Sequence, residues 1–167
     1  MKASIVLEGF DGAGKSTLAK FLANAFGLPI VSAGPPAKND AHAIDCCYDQ
    51  LCAAETGAIL DRITPISRIC YQQDVSFEHQ SVLHKFLTEI YGLSVIIWCR
   101  PSVYTHERSE YDTDEHILDI ENRESHIKAN YIKIMKSIPH IEYDWRYDNR
   151  ILLMDEIKRR MINEYIS

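Results

Sequence analysis

The stretch that decides the fold of this chain reads Gly9-Phe10-Asp11-Gly12-Ala13-Gly14-Lys15-Ser16-Thr17. Its spacing is G-x-x-x-x-G-K-[ST]. The segment before it, 3–7, is short, apolar and mostly β-prone, and the segment after it, 15–26, has the periodicity of an amphipathic helix. The glycines therefore fall where a strand has to turn sharply into a helix. In that context the spacing predicts a phosphate-binding loop, or P-loop.

The chemistry of the loop follows from its residue types. Glycines let the backbone wrap closely around phosphate oxygens with the N–H groups pointing inward, and the helix that follows presents its positive end to the same anion. Lys15 can reach the terminal phosphates of ATP, and the Ser16 hydroxyl can bind Mg²⁺. The alternative is a glycine-rich turn that binds nothing. The expected contacts to ATP are Gly9, Asp11, Gly12, Ala13, Gly14, Lys15, Ser16 and Thr17.

The composition is that of a globular protein. The chain has 167 residues, 46% of them hydrophobic, and we expect a single domain over residues 1–167. A net charge of −6 without a broad basic face argues against binding to an extended nucleic acid. The five cysteines are odd in number and lack a C-x-x-C pair, which favours the reducing cytoplasm. The run before Glu8 is too short for a signal peptide or a membrane span, so we expect no membrane partner.

Strand and helix patterns alternate along the chain. Apolar runs predict strands near 3–7, 28–32, 58–60, 93–99 and 141–143. Helical spacing and capping residues predict helices over 15–26, 41–56, 65–73, 81–91, 124–137 and from Asp148 or Asn149 to Tyr165. This order is typical of a P-loop NTPase-type, three-layer α/β fold with a mainly parallel, doubly wound, five-stranded sheet. Such sheets bind their ligands at the carboxyl ends of the strands.

Two further polar clusters are expected at that edge of the sheet. Asp61-Arg62 follows the third strand, and Arg100 follows the fourth. The guanidinium of Arg62 could clamp an acceptor phosphate with its planar pair of donors. The carboxylate of Asp61 could organise the water around Mg²⁺ or orient a nucleophile. The alternative is an ordinary ion pair at the end of a strand.

Residues 107–124 form a strongly acidic segment. They contain eight acidic side chains and two basic ones, Arg108 and Arg123, so this segment alone carries a charge of −6. Such a run is usually a solvated face. We therefore expect the acids to point to solvent and Arg108 or Arg123 to turn inward.

The motifs, taken in this order, resemble those of the thymidylate kinase family. Residues 8–17 look like the family's E-G-x-D-G-A/S-G-K-S/T loop, in which the acid inside the loop is distinctive. The resemblance covers most of the chain. Three other matches are less specific. Asp61-Arg62, Ser67 and Tyr71-Gln72 are similar to the family's D-R-Y-x-x-S-x-x-A-Y-Q motif. The stretch 98–101 resembles the strand and proline before the family's arginine-bearing lid, and Tyr131 resembles a tyrosine in the helix after that lid.

The resemblance implies an activity and a role for each matching residue. The activity is transfer of the ATP γ-phosphoryl group to a deoxynucleoside monophosphate, most like dTMP, with Mg²⁺. Lys15 and the loop amides would hold the donor phosphates, and Ser16 would bind Mg²⁺. Asp11 would lie near the sugar 3′-hydroxyl of the bound deoxynucleotide. Arg62 would hold the acceptor monophosphate, with Asp61 assisting the metal or the acceptor.

A lid, base contacts and an assembly are implied as well. The lid would be the segment 101–125, with Arg108 and Arg100 as candidates to neutralise the charge that develops during transfer. Members of the family commonly pair through helices, which implies a homodimer here. Candidates for contact with the base are Tyr71, Phe77 and Tyr48 by stacking and Gln72 or Gln73 by hydrogen bonds.

Three departures from the family pattern keep other acceptors open. One extra residue separates Asp61 from Ser67, Ile63 replaces an aromatic residue, and residues 32–36 read Ser-Ala-Gly-Pro-Pro where the family has R-E-P-G. A second interpretation is therefore a P-loop kinase whose acceptor is a hydroxyl group, on a nucleoside, a polynucleotide 5′ end or a hydroxymethylated base. A third is a nucleotide-binding module without catalysis.

Overall fold

The computed structural model describes residues 3–34, 36–71, 75–102 and 114–162 of the chain. The strands are β1 (Ser4–Glu8), β2 (Ile30–Ser32), β3 (Ile59–Asp61), β4 (Ser94–Cys99) and β5 (Ile141–Tyr143). The helices are α1 (Lys15–Phe26), α2 (Asp40–Thr56), α3 (Thr64–Tyr71), α4 (Phe77–Leu93), α5 (Asp114–Met135) and α6 (Arg150–Ile162). Within these ranges, no helix combines the length and the apolar character that crossing a bilayer requires.

The five strands form one parallel sheet in the order β2-β3-β1-β4-β5. β1 lies at its centre, paired with β3 on one side and with β4 on the other. The chain thus builds the sheet outward in both directions from β1, which confirms the predicted doubly wound α/β fold. Because all strands run the same way, β1, β3 and β4 end at the same edge of the sheet.

Helices cover both faces of the sheet and make three layers. Alternate strand residues point to opposite faces. On one face Val6, Leu60 and Ile96 share a core with α2, α3, α4 and α5. On the other face Ile5 and Ile97 share a core with α1 and α6. The central strands are buried on both sides, which is why apolar residues follow one another in them, at 5–7 in β1 and 95–99 in β4, instead of alternating with polar ones.

α4 begins at Phe77, four residues earlier than the sequence pattern predicts. The Ser76 hydroxyl accepts a hydrogen bond from the backbone N–H of His79 at 3.2 Å and so caps the helix. The apolar spacing that predicts a start at 81 misses the first turn, in which the polar His79 is buried. β2 is shorter than predicted, because only residues 30–32 of the predicted strand 28–32 pair with β3.

The acidic segment is partly helical, since α5 begins at Asp114 and not at 124. Arg123 pairs with an acid one turn earlier in the helix, at 3.0 Å. It also turns inward, as expected, and donates to the backbone oxygen of Tyr71 at the end of α3. Residues 103–113, which include Arg108, lie outside the described part of the chain. Exposed acids of α5 are Glu115, Asp119 and Glu121.

We expect Gly9→Ala to destabilise the protein far more than Gly27→Ala. Gly9 has a φ of 144°, and a methyl group there would collide with the carbonyl oxygen of Cys99 at the end of β4. Gly27 has a φ of 67°, with no atom within 4 Å of the same position. The strain of positive φ should cost about 1–2 kcal/mol in both variants. The clash should bring the loss for Gly9→Ala above about 3 kcal/mol. Urea unfolding measures both losses, and equal values would contradict this account.

Candidate active site

The P-loop connects β1 to α1, and its backbone shape depends on glycine. Gly12 and Gly14 have φ values of 73° and 77°, in the left-handed region that favours glycine. Gly14 is the N-cap of α1, and it supplies no side-chain acceptor for the first N–H groups of the helix. A phosphate is the kind of ligand that satisfies such groups. Thr17 lies exposed in the first turn of α1.

The Lys15 ammonium lies inside the loop. Its Nζ donates a hydrogen bond to the carbonyl oxygen of Phe10 at 2.9 Å, and the residue is 7% exposed. Burial lowers the pKa of Lys15 to about 8, and the positive charge of Arg62 adds to the effect. A bound anion would favour the charged form again. The loop therefore suits an anionic ligand electrostatically as well as by its shape.

Ser16 and Asp61 meet where the P-loop passes the end of β3. The Ser16 hydroxyl donates to Oδ2 of Asp61 at 2.9 Å. A hydroxyl and a carboxylate side by side are oxygen ligands of the kind that Mg²⁺ takes together with phosphate oxygens and water. The two residues thus fit the metal that the sequence predicts for them.

Arg62 is the second charged group beside the loop. It lies between β3 and α3 with a φ of 69°, and it is the only non-glycine residue at positive φ in the described ranges. Its guanidinium forms an ion pair with Asp11 of the P-loop, 51 residues earlier in the chain. The same Nη2 donates to the hydroxyl of Tyr71 at 3.1 Å. The structure therefore brings together three of the predicted site residues from distant parts of the sequence.

The Tyr71 hydroxyl completes this cluster, because it donates to Oδ2 of Asp11 at 3.0 Å. Burial opposes the ionisation of Asp11, but the charges of Arg62 and Lys15 and the hydrogen bonds from Arg62 and Tyr71 together outweigh it, and the pKa of Asp11 falls below its ordinary value. The ring of Tyr71 lies parallel to that of Phe10, with centroids 6.3 Å apart, and edge-on to that of Tyr131 at 6.0 Å. These ring contacts hold the hydroxyl in place.

Arg100 lies apart from this cluster. Its guanidinium sits over the Trp98 ring, 4.7 Å from the centroid, and its Nη1 is 4.0 Å from the Glu142 carboxylate. It lines a groove of about 500 Å³ between α5 and the ends of β4 and β5. Its contact with a substrate stays a prediction. Outside the described part lie Arg108, Gln72, Gln73 and the Phe77 side chain.

Glu8 is a buried site residue to which the sequence analysis assigns no role of its own. Its Oε1 accepts a hydrogen bond from the backbone N–H of Ile63 at 2.7 Å, and its Oε2 accepts one from the Tyr131 hydroxyl at 3.2 Å. Burial raises the pKa of Glu8 to about 7, although the charges of Arg62 and Lys15 oppose the shift. The available signal is a glutamate that directly follows three consecutive apolar residues of a strand.

Trp145 is a contact of the P-loop that the sequence analysis misses. A methyl group on Gly14 would lie 3.3 Å from Cδ1 of Trp145, so the indole packs directly on the N-cap of α1. The residue is 39% exposed, which leaves part of the ring open to solvent beside the loop. An aromatic surface in such a place can stack on a base. The available signal was a tryptophan shortly after β5, at the edge of the sheet where ligands bind.

Arg68 of α3, also missed, joins three neighbouring segments. Its guanidinium pairs with Asp40 at the start of α2, and its Nε donates to Nε2 of His79 in α4 at 3.3 Å. Its Nη1 donates to the carbonyl oxygen of Ala37 at 3.3 Å. The segment before α2 is thereby held against α3, one helical turn before Tyr71. This segment directly follows residues 32–36, which depart from the R-E-P-G motif of the thymidylate kinase family.

Comparisons with known proteins extend these observations. No protein-family model matches the chain, and no curated protein matches its sequence. The YorR protein of Bacillus subtilis, in complex with phosphorylated GDP, has a similar structure with a TM-score of 0.57, 16% identity, and coverage of 98% of this chain and 99% of that one. Deoxyadenosine kinase from M. mycoides with bound dCTP is similar with a TM-score of 0.54 and 19% identity, and the match covers 93% of this chain and 98% of that one. Thymidylate kinase from Candida albicans is similar with a TM-score of 0.55 and 16% identity, and the match covers 86% of this chain and 84% of that one.

The chain has a P-loop kinase fold. At identities of 16% to 19% these similarities concern the fold, and they confirm the nucleotide-kinase-like P-loop architecture that the motifs predict. Within that fold, Lys15 begins the helix after β1, and Asp61 and Arg62 lie at the end of the adjacent strand β3. Their individual roles stay predictions.

Glu8→Gln should stabilise the protein at pH 8 and have little effect at pH 5. Burial raises the pKa of Glu8 from 4.5 to about 7, so the folded protein holds this proton more tightly than the unfolded chain does. The stabilisation from neutral Glu8 is therefore present below pH 4.5 and lost as the pH rises through about 7. A shift of this size corresponds to about 3 kcal/mol, which the uncharged Gln side chain should retain. Urea unfolding at both pH values measures the difference, and a difference independent of pH would contradict the raised pKa.

Proposed function

We propose that this protein is an ATP-dependent P-loop kinase and that its acceptor is a deoxynucleoside monophosphate, most like dTMP. The observation that carries the proposal is the meeting of Asp11, Arg62 and Tyr71 beside the P-loop. The guanidinium, the carboxylate and the hydroxyl would bind the acceptor, while the P-loop would bind the phosphates of the donor. The two substrates would then meet end to end above the central strand.

The donor phosphates would lie in the P-loop. Lys15 donates to a loop carbonyl at 2.9 Å and can exchange that partner for a phosphate oxygen. Ser16 and Asp61 would hold Mg²⁺, which when bound supplies positive charge against the transferring phosphoryl group. Trp145, packed on Gly14, offers a surface on which the donor base can stack.

The acceptor phosphate would bind to Arg62. Its guanidinium is paired with Asp11 in this structure, and a phosphate competes well for it because it offers two oxygens and more negative charge. Asp11 and Tyr71 would then be available to the hydroxyl groups of the acceptor's sugar. The work of the protein is to position two anions and to offset their repulsion.

The nearby carboxylates favour a phosphate acceptor over a hydroxyl acceptor. A phosphate oxygen is already nucleophilic, whereas a hydroxyl needs a base to take its proton. Although burial raises it, the charges of Arg62 and Lys15 and the hydrogen bonds from Arg62 and Tyr71 together hold the pKa of Asp11 below its ordinary value, which makes Asp11 a weak base. The pKa of Glu8 is suitable, at about 7 because of burial, but both of its oxygens are hydrogen-bonded inside the core. Asp61 already accepts from Ser16 and is assigned to the metal.

We place the protein in nucleotide biosynthesis in the cytoplasm, where it would act on free small nucleotides. Neither a membrane nor an extended nucleic acid would be a partner. The protein would pair as a homodimer through a helix face. Among proteins that share the fold, one is named for a nucleoside and one for a nucleotide. A nucleoside hydroxyl is therefore the alternative acceptor that an assay has to distinguish.

With ATP and Mg²⁺, the purified protein should release ADP fastest when the acceptor is a deoxynucleoside monophosphate. The reason is that Arg62 provides a partner for a phosphate, whereas none of the three described carboxylates at the site, those of Glu8, Asp11 and Asp61, is a suitable base for a hydroxyl. A coupled assay over the four dNMPs, the corresponding nucleosides and short single-stranded DNA measures the preference. Release with nucleosides or DNA alone would favour the hydroxyl acceptor, and ATP binding without release on any of them would favour the non-catalytic module.

Two substitutions should separate the donor site from the acceptor site. Lys15→Ala should abolish transfer. Arg62→Ala should raise the acceptor KM by at least about tenfold, as expected for loss of a charged hydrogen bond, and leave the ATP KM within about twofold. The matched control is Arg159→Ala, an exposed arginine paired only within α6. An equal loss of ATP and acceptor binding in the Arg62 variant would contradict the assignment.

The affinity for MgATP should fall as the pH rises above 8. Burial, aided by Arg62, lowers the pKa of Lys15 to about 8 in the empty protein, and only charged Lys15 pairs with phosphate. Above that pH the protein has to take up a proton on binding, so the affinity should fall by up to about tenfold per pH unit. Trp145 fluorescence in a Trp98→Phe background, which leaves Trp145 as the single tryptophan, reports the Kd at each pH. A flat profile between pH 7 and 9.5 would refute the lowered pKa.

A further inference from the structure

Glu8 is a buried carboxylate that the proposed transfer does not use. It ends β1 directly before the P-loop, and it is inaccessible to solvent. One oxygen accepts from the Ile63 amide at 2.7 Å and the other from the Tyr131 hydroxyl at 3.2 Å. A carboxylate enclosed in this way is out of reach of a ligand, so its role has to lie in the groups that it holds.

Glu8 holds the turn that carries Arg62. Arg62 has a φ of 69°, a conformation that costs a residue with a side chain about 1–2 kcal/mol and persists only where the surroundings support it. Two hydrogen bonds from the turn reach β1: the Arg62 amide donates to the carbonyl oxygen of Leu7 at 2.9 Å, and the Ile63 amide donates to Glu8 at 2.7 Å. The first bond needs only a backbone carbonyl. The second depends on the side chain at position 8.

The direction of the Arg62 side chain follows from this turn. The left-handed backbone at Arg62 aims the guanidinium at Asp11 and Tyr71. Its Nε is buried without a hydrogen-bond partner, so along the side chain only the far end is tied down. If the Ile63 amide lost its acceptor, the turn would relax toward a right-handed conformation and the guanidinium would leave the acceptor side.

We propose that Glu8 is a positioning residue, which directs Arg62 toward the acceptor by accepting the hydrogen bond from Ile63. The inference rests on the proposed function in that Arg62 is taken to bind the acceptor. The effective property of Glu8 is the position of its oxygen and not its charge. Tyr131 fixes the second oxygen and lies edge-on to Tyr71 at 6.0 Å, so α5 and the Arg62 turn are joined through one carboxylate.

Two variants of Glu8 separate position from charge. Glu8→Gln keeps the length of the side chain and an oxygen that can accept from Ile63, but it removes the charge. Glu8→Asp keeps the charge but is shorter by one C–C bond, about 1.5 Å, which takes the oxygen beyond hydrogen-bond reach of Ile63. Tyr131→Phe is the matched control, because it removes the other hydrogen bond to Glu8 and leaves the aromatic ring and the turn.

Steady-state kinetics with the best acceptor of the wild-type protein give the first readout. Glu8→Asp should raise the acceptor KM about tenfold and leave the ATP KM within about twofold, whereas Glu8→Gln and Tyr131→Phe should change the acceptor KM by less than about threefold. The proposal is overturned if Glu8→Gln is impaired as much as Glu8→Asp. It is also overturned if the two KM values rise together in Glu8→Asp, since that is the signature of a merely structural role.

A second readout needs no acceptor. Hydrogen exchange at the Ile63 amide should become at least about tenfold faster in Glu8→Asp, relative to the Leu153 amide in α6, and stay unchanged in Glu8→Gln. The NMR signal of the Arg62 Nε–H group should shift in the same variant only. If the wild-type protein phosphorylates no acceptor, the proposed function fails while this measurement still decides the role of Glu8. Unchanged exchange in Glu8→Asp overturns that role, and so does faster exchange with an unchanged acceptor KM.

Discussion

The parallel pairing of β1 with β3 is the interaction on which the candidate site depends. Leu7 and Asp61 are partners in this register, so the chain leaves the sheet at two neighbouring points, once into the P-loop and once into the turn of Arg62. On the other side, the end of β4 packs closely against the start of the P-loop. Position 9 therefore has to be a glycine, because a side chain there would collide with the backbone of Cys99. The ion pair between Asp11 and Arg62 is a consequence of this arrangement.

Around this point lie four charged groups, Glu8, Asp11, Lys15 and Arg62, whose ionisation is shifted by burial and by one another. Burial raises the pKa of Glu8 and lowers that of Lys15, so each is pushed toward its neutral form. The charges of Arg62 and Lys15, with hydrogen bonds from Arg62 and Tyr71, keep Asp11 ionised against the effect of burial. Such a site gains from a ligand whose negative charge lies between Lys15 and Arg62. Two phosphate groups arranged end to end have that charge distribution, which is why the electrostatics and the proposed transfer agree.

The elements that could be predicted from the sequence are those with signals close together in the chain. α1 was predicted at its observed bounds because Gly14 and Gly27 stand on either side of its apolar face, and the strand pattern placed the P-loop correctly at the end of β1. The start of α4 was missed because the Ser76 cap lies outside the apolar spacing of the helix. The start of α5 was missed because an acidic, exposed helix has few apolar positions to mark it. Arg68 gave no signal, since its partners in α2 and α4 become neighbours only through packing.

By itself, the sequence determined the P-loop, the order of the elements along the chain and hence the α/β class, because each depends on residues within a few positions of one another. Tertiary structure alone decided which side chains meet. The pairing of Asp11 with Arg62 spans 51 residues and the contact of Glu8 with Tyr131 spans 123, and the packing of Trp145 on Gly14 is likewise distant in the chain. Such contacts depend on strand order, on register and on the close packing of the core, and none of these is written in the residue types of a single segment.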